Sequence, residues 1–150
     1  MFVFQAIVAP NNASLDSIDF NPSSVLRPLK KVKSNEFSGP DGFPPLPFHK
    51  LANCLANPLS IIYTSFMSVG DVPSVWRSAY VTPVYKSGLS SSVANYRPIS
   101  LTCVGSKVME RVISCTVLAY VREHGMITKQ QHGLLSQKST TTTLLDSLNN

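Results

Sequence analysis

Residues 79–101 read AYVTPVYKSGLSSSVANYRPISL, and this stretch sets the architecture of the chain. Residues 79–85 are mostly β-branched or aromatic, as is typical of a strand, and Pro83 favours an edge position in a sheet. A polar turn then begins at Lys86 and leads into a second short strand over residues 96–101. The stretch therefore predicts a β-hairpin with a long flexible tip.

The segment before this hairpin predicts a short helix with a basic face. Val25, Leu29 and Val32 recur at helical spacing and form its apolar side. The positive charges of the same segment are Arg27, Lys30, Lys31 and Lys33. The sequence GPDG at 39–42 then indicates a loop, because its glycines and proline supply backbone angles that neither a helix nor a strand requires.

A longer apolar stretch follows this loop and predicts two helices. Its apolar positions are Leu46, Leu51, Leu55, Leu59, Ile62 and Phe66. The pair Asn57-Pro58 fits an N-cap followed by a proline in the first turn, so we expect the two helices to be divided there. Gly70 is placed to end the second helix.

Two further helices are predicted after the hairpin. The first is amphipathic, with apolar residues recurring from Val104, and it ends at His124-Gly125. The second begins near Ser139-Thr140 and is still running at Asn150. We therefore expect the chain to be truncated at its C-terminus, because a domain does not normally end within a helix.

The composition bounds the class of protein. The chain has 150 residues and a formal net charge of +5, and 43% of its residues are hydrophobic, so it can build a core. Only 14% of the residues are charged, below the roughly 25% of soluble domains, and we expect part of the surface to pack on further protein. We interpret residues 1–24 as an irregular leader and residues 25–150 as the domain. No apolar run approaches the length needed to cross a bilayer.

The motifs of common enzymes are absent from the chain. It contains no H-E-x-x-H, no G-x-S-x-G and no G-x-G-x-x-G. Its eight acidic residues are scattered, whereas two-metal phosphoryl chemistry needs clustered carboxylates, so we predict no catalytic residue and no metal site. Cys54, Cys103 and Cys115 lie among apolar residues and are expected to be buried free thiols.

The region around the hairpin carries positive charge without compensation. Residues 72–109 contain four basic residues and no acidic one. Lys86 ends one predicted strand and Arg97 opens the next, so the hairpin would bring two cations towards one surface suited to a polyphosphate. We expect Tyr85 and Tyr96 beside them to stack on a base or sugar. The alternative is a solvated hairpin whose charges only keep its edges from aggregating.

Several segments together resemble a known family. They are GPDGFP at 39–44, PLSII at 58–62, GDVPSVWR at 70–77, VTPVYKSG at 81–88, NYRPISLT at 95–102, KVMER at 107–111 and QHG at 131–133. In this order they are similar to the N-terminal, fingers part of the reverse transcriptase of non-LTR (LINE-like) retrotransposons. The resemblance covers roughly residues 25–150, and NYRPISLT after VTPVYKSG is its most specific part.

The resemblance implies an α+β fold, namely part of the fingers subdomain of a right-hand polymerase. This part contains helices and a β-hairpin, whereas the palm is missing. It implies that Lys86 and Arg97 bind the triphosphate of the incoming deoxynucleotide (dNTP). It implies nucleic-acid contacts, to an RNA template or DNA primer, for Lys107 and Arg111, with Lys33 as a further candidate. The catalytic aspartates of the family would lie downstream. We therefore expect that this chain alone has no polymerase activity and binds no cofactor. For the complete enzyme, we expect Mg²⁺ as cofactor and a nuclear location.

Two other interpretations stay open. The chain could be a non-catalytic RNA-binding module, which predicts an RNA affinity that falls as salt rises. It could instead be a non-functional remnant of a decayed element whose surface lacks the palm on which it should pack. The remnant interpretation predicts aggregation and weak protection in hydrogen exchange.

Overall fold

The computed structural model describes residues 7–8 and 14–127, and its secondary structure is α+β, as the sequence predicted. The chain divides into two compact units. Of the described residues, the first unit contains 17–115, and the second contains 7–8, 14–16 and 116–127. Among the described residues, no helix is both long and apolar enough to cross a membrane. The helix expected from Ser139-Thr140 lies outside them.

The predicted hairpin is confirmed in the first unit. Its strands are Tyr80–Tyr85 (β3) and Tyr96–Leu101 (β4), which pair antiparallel. Pro83 lies opposite Pro98. Because the sheet has two strands, both are edge strands, in agreement with the edge position predicted from Pro83. At the tip, Gly88 has a φ of 96°, a conformation that glycine adopts without strain.

The helix predicted from Val25 begins three residues earlier and forms α1, Pro22–Lys30. Asn21 caps it, because its side-chain oxygen accepts a hydrogen bond of 2.8 Å from the Ser24 N–H, and a proline occupies the first turn. The residues expected to form an irregular leader thus include the cap and the first turn of this helix. Ile18 and Phe20, which precede the cap, belong to the hydrophobic core.

The predicted division at Asn57-Pro58 is wrong. The structure has a short helix, Pro45–Lys50 (α2), and a long one, Ala52–Val69 (α3), and the break between them lies at Leu51. Pro58 lies inside α3 on its exposed side. Because the position is exposed, the carbonyl that has lost its N–H partner can bond to water instead, and the helix continues through the proline. Gly70 ends α3 with a φ of 71°, as predicted.

The buried face of α3 also differs from the leucine face that the sequence suggested. The buried residues of α3 are Ala52, Ala56, Ser60 and Tyr63. The predicted positions Leu46, Leu51 and Ile62 are 40–51% exposed, while Leu55, Leu59 and Phe66 are only partly buried. Because alanine and serine are small, α3 can approach the core closely through this stripe.

The amphipathic helix after the hairpin is confirmed as α4, Val104–Glu123. In the first unit, its buried side chains Val108, Met109 and Val112 join those of α1 and α3 in one hydrophobic core. Cys103, at its start, is the only one of the three cysteines that is buried, whereas Cys54 and Cys115 are exposed. The expectation of three buried thiols was wrong because these two lie on outward faces of their helices.

The second unit is described by itself. Ile7–Val8 (β1) pairs antiparallel with Ser14–Leu15 (β2). The end of α4 belongs to this unit, and there the His124 ring lies 4.1 Å from the Tyr120 ring, centroid to centroid. Its Nδ1 is 2.9 Å from the Tyr120 carbonyl oxygen, so this histidine has a structural contact.

Candidate functional site

The register of the hairpin places the two predicted cations on one face. Val84 in β3 pairs with Arg97 in β4, and the ladder continues to Lys86, whose N–H donates to the Asn95 carbonyl at 2.8 Å. Because side chains alternate between the faces of a strand, Lys86 lies on the same face as Val84 and therefore as Arg97. Lys86 and Arg97 are then diagonal neighbours, about 7–8 Å apart at their Cα atoms. We call this the cationic face of the hairpin.

Within the described residues, the charges on the cationic face have no acidic partner. Both side chains are exposed, and the two ion pairs in the described part of the chain involve other residues. Arg97 offers five N–H donors in a planar fork, and Lys86 offers three on a flexible stem. Two cations at diagonal positions repel each other, so an anion with several oxygens would stabilise both at once.

The tyrosines do not lie beside these cations as expected. Tyr85 pairs with Tyr96 on the opposite face, where their rings pack edge to face with centroids 5.6 Å apart. Their hydroxyls donate to the carbonyls of Gly88 and Ser90, so the rings fasten the tip. The expectation was wrong because the residue next to a cation in a strand points to the other face.

The base of the hairpin is anchored by contacts that the sequence did not reveal. Trp76, which precedes β3, packs edge to face on Tyr63 and Phe66, with centroids 6.1 and 5.4 Å apart. Gly105, which follows β4 in α4, lies against the same indole: a Cβ at Gly105 would be 2.6 Å from Trp76 Cζ2. The buried Tyr63 hydroxyl donates to the Gly105 carbonyl at 2.9 Å. Both ends of the hairpin are therefore tied to α3.

Burial raises the pKa of the Tyr63 hydroxyl above its ordinary value of 10.0. The folded state therefore releases this proton at a higher pH than the unfolded state does, and stability is retained below pH 10 and lost as pH rises above it. We expect the free energy of unfolding of the wild type to fall relative to that of Tyr63→Phe between pH 9 and 11. Urea denaturation of both proteins across this range measures it, and parallel pH profiles would contradict it.

The GPDG loop packs at the same junction. A Cβ at Gly39 would be 2.5 Å from the backbone nitrogen of Cys103, so only a glycine fits there. Asp41 uses Oδ1 to accept the Phe43 N–H at 3.2 Å, which closes the turn. The Cys103 thiol donates to the Val75 carbonyl at 3.5 Å, and burial raises its pKa. These contacts place the loop against the start of α4.

The other predicted nucleic-acid contacts lie outside the hairpin, on α4 and just after α1. Lys33 is exposed after α1, and Arg111 is exposed on α4. Lys107 lies one turn before Arg111, but its ammonium group is paired with Glu36 at 3.7 Å. Among residues 7–8 and 14–127, no three His, Cys, Asp or Glu side chains are grouped so that they could hold a metal ion.

Comparison with known proteins gives partial matches. No protein-family model matches the chain. The chain is 35% identical over 83 residues to the RNA-directed DNA polymerase from mobile element jockey of Drosophila melanogaster, covering 55% of the chain and 9% of that protein. It is 24% identical over 115 residues to the probable RNA-directed DNA polymerase from transposon X-element of the same organism, covering 76% of the chain and 13% of that protein. The chain thus spans about a tenth of the length of these curated relatives.

Proposed function

We propose that this chain is part of the fingers of an RNA-directed DNA polymerase of a non-LTR retrotransposon, over residues 25–150, and that Lys86 and Arg97 bind the triphosphate of the incoming deoxynucleotide. The observation that carries the proposal is the cationic face: the register puts both cations on one side, exposed and without an ion-pair partner in the described residues. The similarity to two polymerases of mobile elements supports the choice of substrate.

The chemistry of the two side chains suits this role. The guanidinium of Arg97 matches two phosphate oxygens at once, and the ammonium of Lys86 neutralises a further oxygen as a point charge. The anchored base of the hairpin, with Trp76 held against Tyr63 and Gly105, keeps the cationic face in one orientation. The role proposed for this chain is to bind and orient the nucleotide.

The bond-forming chemistry is assigned to other parts of the enzyme. Polymerisation uses Mg²⁺ to activate the attacking oxygen and neutralise the phosphates. The described residues do not fit such a site, since their acidic side chains form no cluster. We propose that aspartates outside these 150 residues hold the metal in the complete enzyme, and we assign no magnesium-dependent step to this chain.

Lys107, Arg111 and Lys33 are proposed as weaker contacts to the template or primer backbone. Arg111 and Lys33 are exposed and can reach a phosphate directly. Lys107 would have to leave Glu36, or share its charge between Glu36 and the nucleic acid. We therefore rank Lys107 below the other two.

Nucleotide binding to the 150-residue chain tests the proposal. We expect Arg97→Gln and Lys86→Gln each to weaken the binding of a dNTP about tenfold or more, since each removes charge-assisted hydrogen bonds to phosphate. Displacement of a fluorescent dNTP measures this, and affinity should fall from the triphosphate to the monophosphate. In a complete relative, the variant at the matching arginine should raise KM for the nucleotide.

Lys50→Gln is the matched control, because Lys50 is an exposed lysine on α2 and does not belong to the hairpin. It removes one positive charge, as Lys86→Gln does. Equal weakening by the control and by the hairpin variants would show a general charge effect and contradict the assignment. Equal affinity for the triphosphate and the monophosphate would contradict it as well.

A further inference from the structure

The outward side of α3 is apolar along the whole helix. With 3.6 residues per turn, six side chains project within an arc of about 100°, on the side opposite the buried residues Ala56 and Ser60. They are Leu51, at the break before α3, and Cys54, Pro58, Ile61, Ile62 and Val69 within it. All six are exposed, and Ile61 and Val69 are 64% and 73% exposed. We call these six residues the outer face of α3.

The outer face carries no charge. Residues 51–70 contain no Asp, Glu, Lys, Arg or His. The solvent side of a surface helix is normally charged or polar, as that of α4 is at the exposed Glu110 and Arg111. A contiguous apolar surface of this length is typical of a site where another protein packs. Burial of the outer face against a second apolar helix would therefore be favourable.

Opposite charges mark the two ends of the outer face. Lys50 immediately precedes it, Asp71 follows it after Gly70, and both are exposed. Lys50 has no ion-pair partner among residues 7–8 and 14–127, and Asp71, which lies 3.3 Å from Arg77, keeps a side chain that is 63% exposed. A second α3 packed antiparallel would place Lys50 of each copy beside Asp71 of the other. Parallel packing would place like charges together, so the charges favour the antiparallel arrangement.

The spacing of the outer face fits an antiparallel copy of itself. In a pair centred on residue 60, Leu51 of one helix lies level with Val69 of the other. Pro58 of one helix then lies level with Ile62 of the other. The seven-residue step from Leu51 to Pro58 is repeated from Ile62 to Val69, and it is the spacing with which two helices pack side by side. The same set of residues can therefore form both halves of a contact.

We propose that two copies of this chain pair antiparallel through the outer face of α3, around a two-fold axis near residue 60. Because of this axis, each contact occurs twice. Pro58 leaves the Cys54 carbonyl without its N–H partner. The exposed Ser65 of the second copy comes within about one residue of that level, so its hydroxyl can bond the carbonyl in place of water. None of these residues belongs to the cationic face, so the pairing does not rest on the proposed function.

The size of the outer face bounds the strength of the pair. The 18 residues of α3 form a helix about 27 Å long and about 10 Å across, so packing two of them side by side would remove on the order of 1,000 Å² of surface from water in total. That area lies at the lower limit for a specific interface, and association also costs translational and rotational freedom. We therefore expect a reversible dimer with a Kd on the order of 10 μM.

Sedimentation equilibrium of the 150-residue chain under reducing conditions tests the contact. We expect a monomer–dimer equilibrium for the wild type. We expect Ile61→Lys to raise the Kd about tenfold or more, because the new charge would be buried against apolar side chains without a partner. Val81→Lys is the matched control, since Val81 on the hairpin is 63% exposed and the substitution adds the same charge. Its Kd should stay within about twofold of the wild-type value.

The charges at the two ends test the orientation. We expect Lys50→Glu and Asp71→Lys each to raise the Kd about fivefold or more, since each sets like charges against each other at both ends of an antiparallel pair. The double variant Lys50→Glu/Asp71→Lys restores opposite charges and should restore the wild-type Kd. A parallel pair would have like charges at both ends in the wild type and in all three variants. Thermal melts establish that each variant is folded; the substituted side chains are on the surface.

The contrary outcomes are distinct. A wild-type chain that stays monomeric up to about 500 μM, or a dimer that Ile61→Lys weakens no more than Val81→Lys does, would overturn the proposal. Association that continues beyond two copies would also overturn it, because a two-fold contact closes at two. A Kd that is the same in all three variants of the end charges would overturn the antiparallel orientation. Arg97→Gln should retain the wild-type Kd, so failure of the proposed function leaves this pairing in place.

Discussion

Replacing Gly39 by alanine is expected to destabilise the chain by about 3 kcal/mol, because the new methyl group would overlap backbone rather than a movable side chain. A Cβ at this position would be 2.5 Å from Cys103 N and 2.6 Å from Cys103 Cα. The junction between β4 and α4 would have to shift to admit it. Urea denaturation of the 150-residue chain measures the loss.

Gly42→Ala is the matched control within the same loop. Gly42 has a φ of 71°, but no atom lies within 4 Å of a Cβ built there, so only the backbone conformation opposes alanine, at about 1–2 kcal/mol. If Gly39→Ala were no more destabilising than Gly42→Ala, the loop would not be packed on the start of α4 as described.

Tyr63→Ala is expected to lower the free energy of unfolding by about 3–5 kcal/mol, the range for removal of a large buried aromatic side chain. Tyr63 is fully buried, and its ring contacts those of Phe20 and Trp76. Tyr63→Phe keeps the ring and removes the hydrogen bond to Gly105, which should lower stability by about 1 kcal/mol.

The two substitutions at Tyr63 separate packing from hydrogen bonding. Equal losses from Tyr63→Ala and Tyr63→Phe would mean that the hydroxyl, and not the ring, stabilises the anchor. Unfolding curves at pH 7 distinguish these cases, since the phenol is neutral there in the folded and the unfolded state. A small loss in both variants would contradict the burial of this residue.

The parts of the fold that follow from local sequence were predictable. The strand at Tyr80–Tyr85 is rich in β-branched and aromatic residues, and the helix Val104–Glu123 has apolar residues at helical spacing. The alternation of side chains along β3 and β4 separates the tyrosines from the cations, and this too follows from the local sequence.

The remaining features depend on contacts between distant residues. Pro58 suggests a helix start by itself, but its place on the exposed side of α3 lets the helix pass through it. The close approaches of Gly39 to Cys103 and of Gly105 to Trp76 join segments that are far apart in sequence. Periodicity does not report such contacts, so the anchor of the candidate site could not be predicted from sequence alone.

The proline pair in the middle of the hairpin limits how this element can bind a partner. Pro83 and Pro98 are paired three residues along the ladder from the hydrogen-bonded pair Lys86–Asn95. Because hydrogen-bonded and non-hydrogen-bonded pairs alternate, the strands exchange no hydrogen bonds at the proline pair, and an N–H there would point away from the partner strand. Proline has no N–H, so the outer edge of each strand lacks a backbone hydrogen-bond donor near its middle. An incoming β-strand would therefore lack one hydrogen bond on either edge, which disfavours extension of the sheet. Recognition of this element through its exposed side chains is favoured over addition of a further strand.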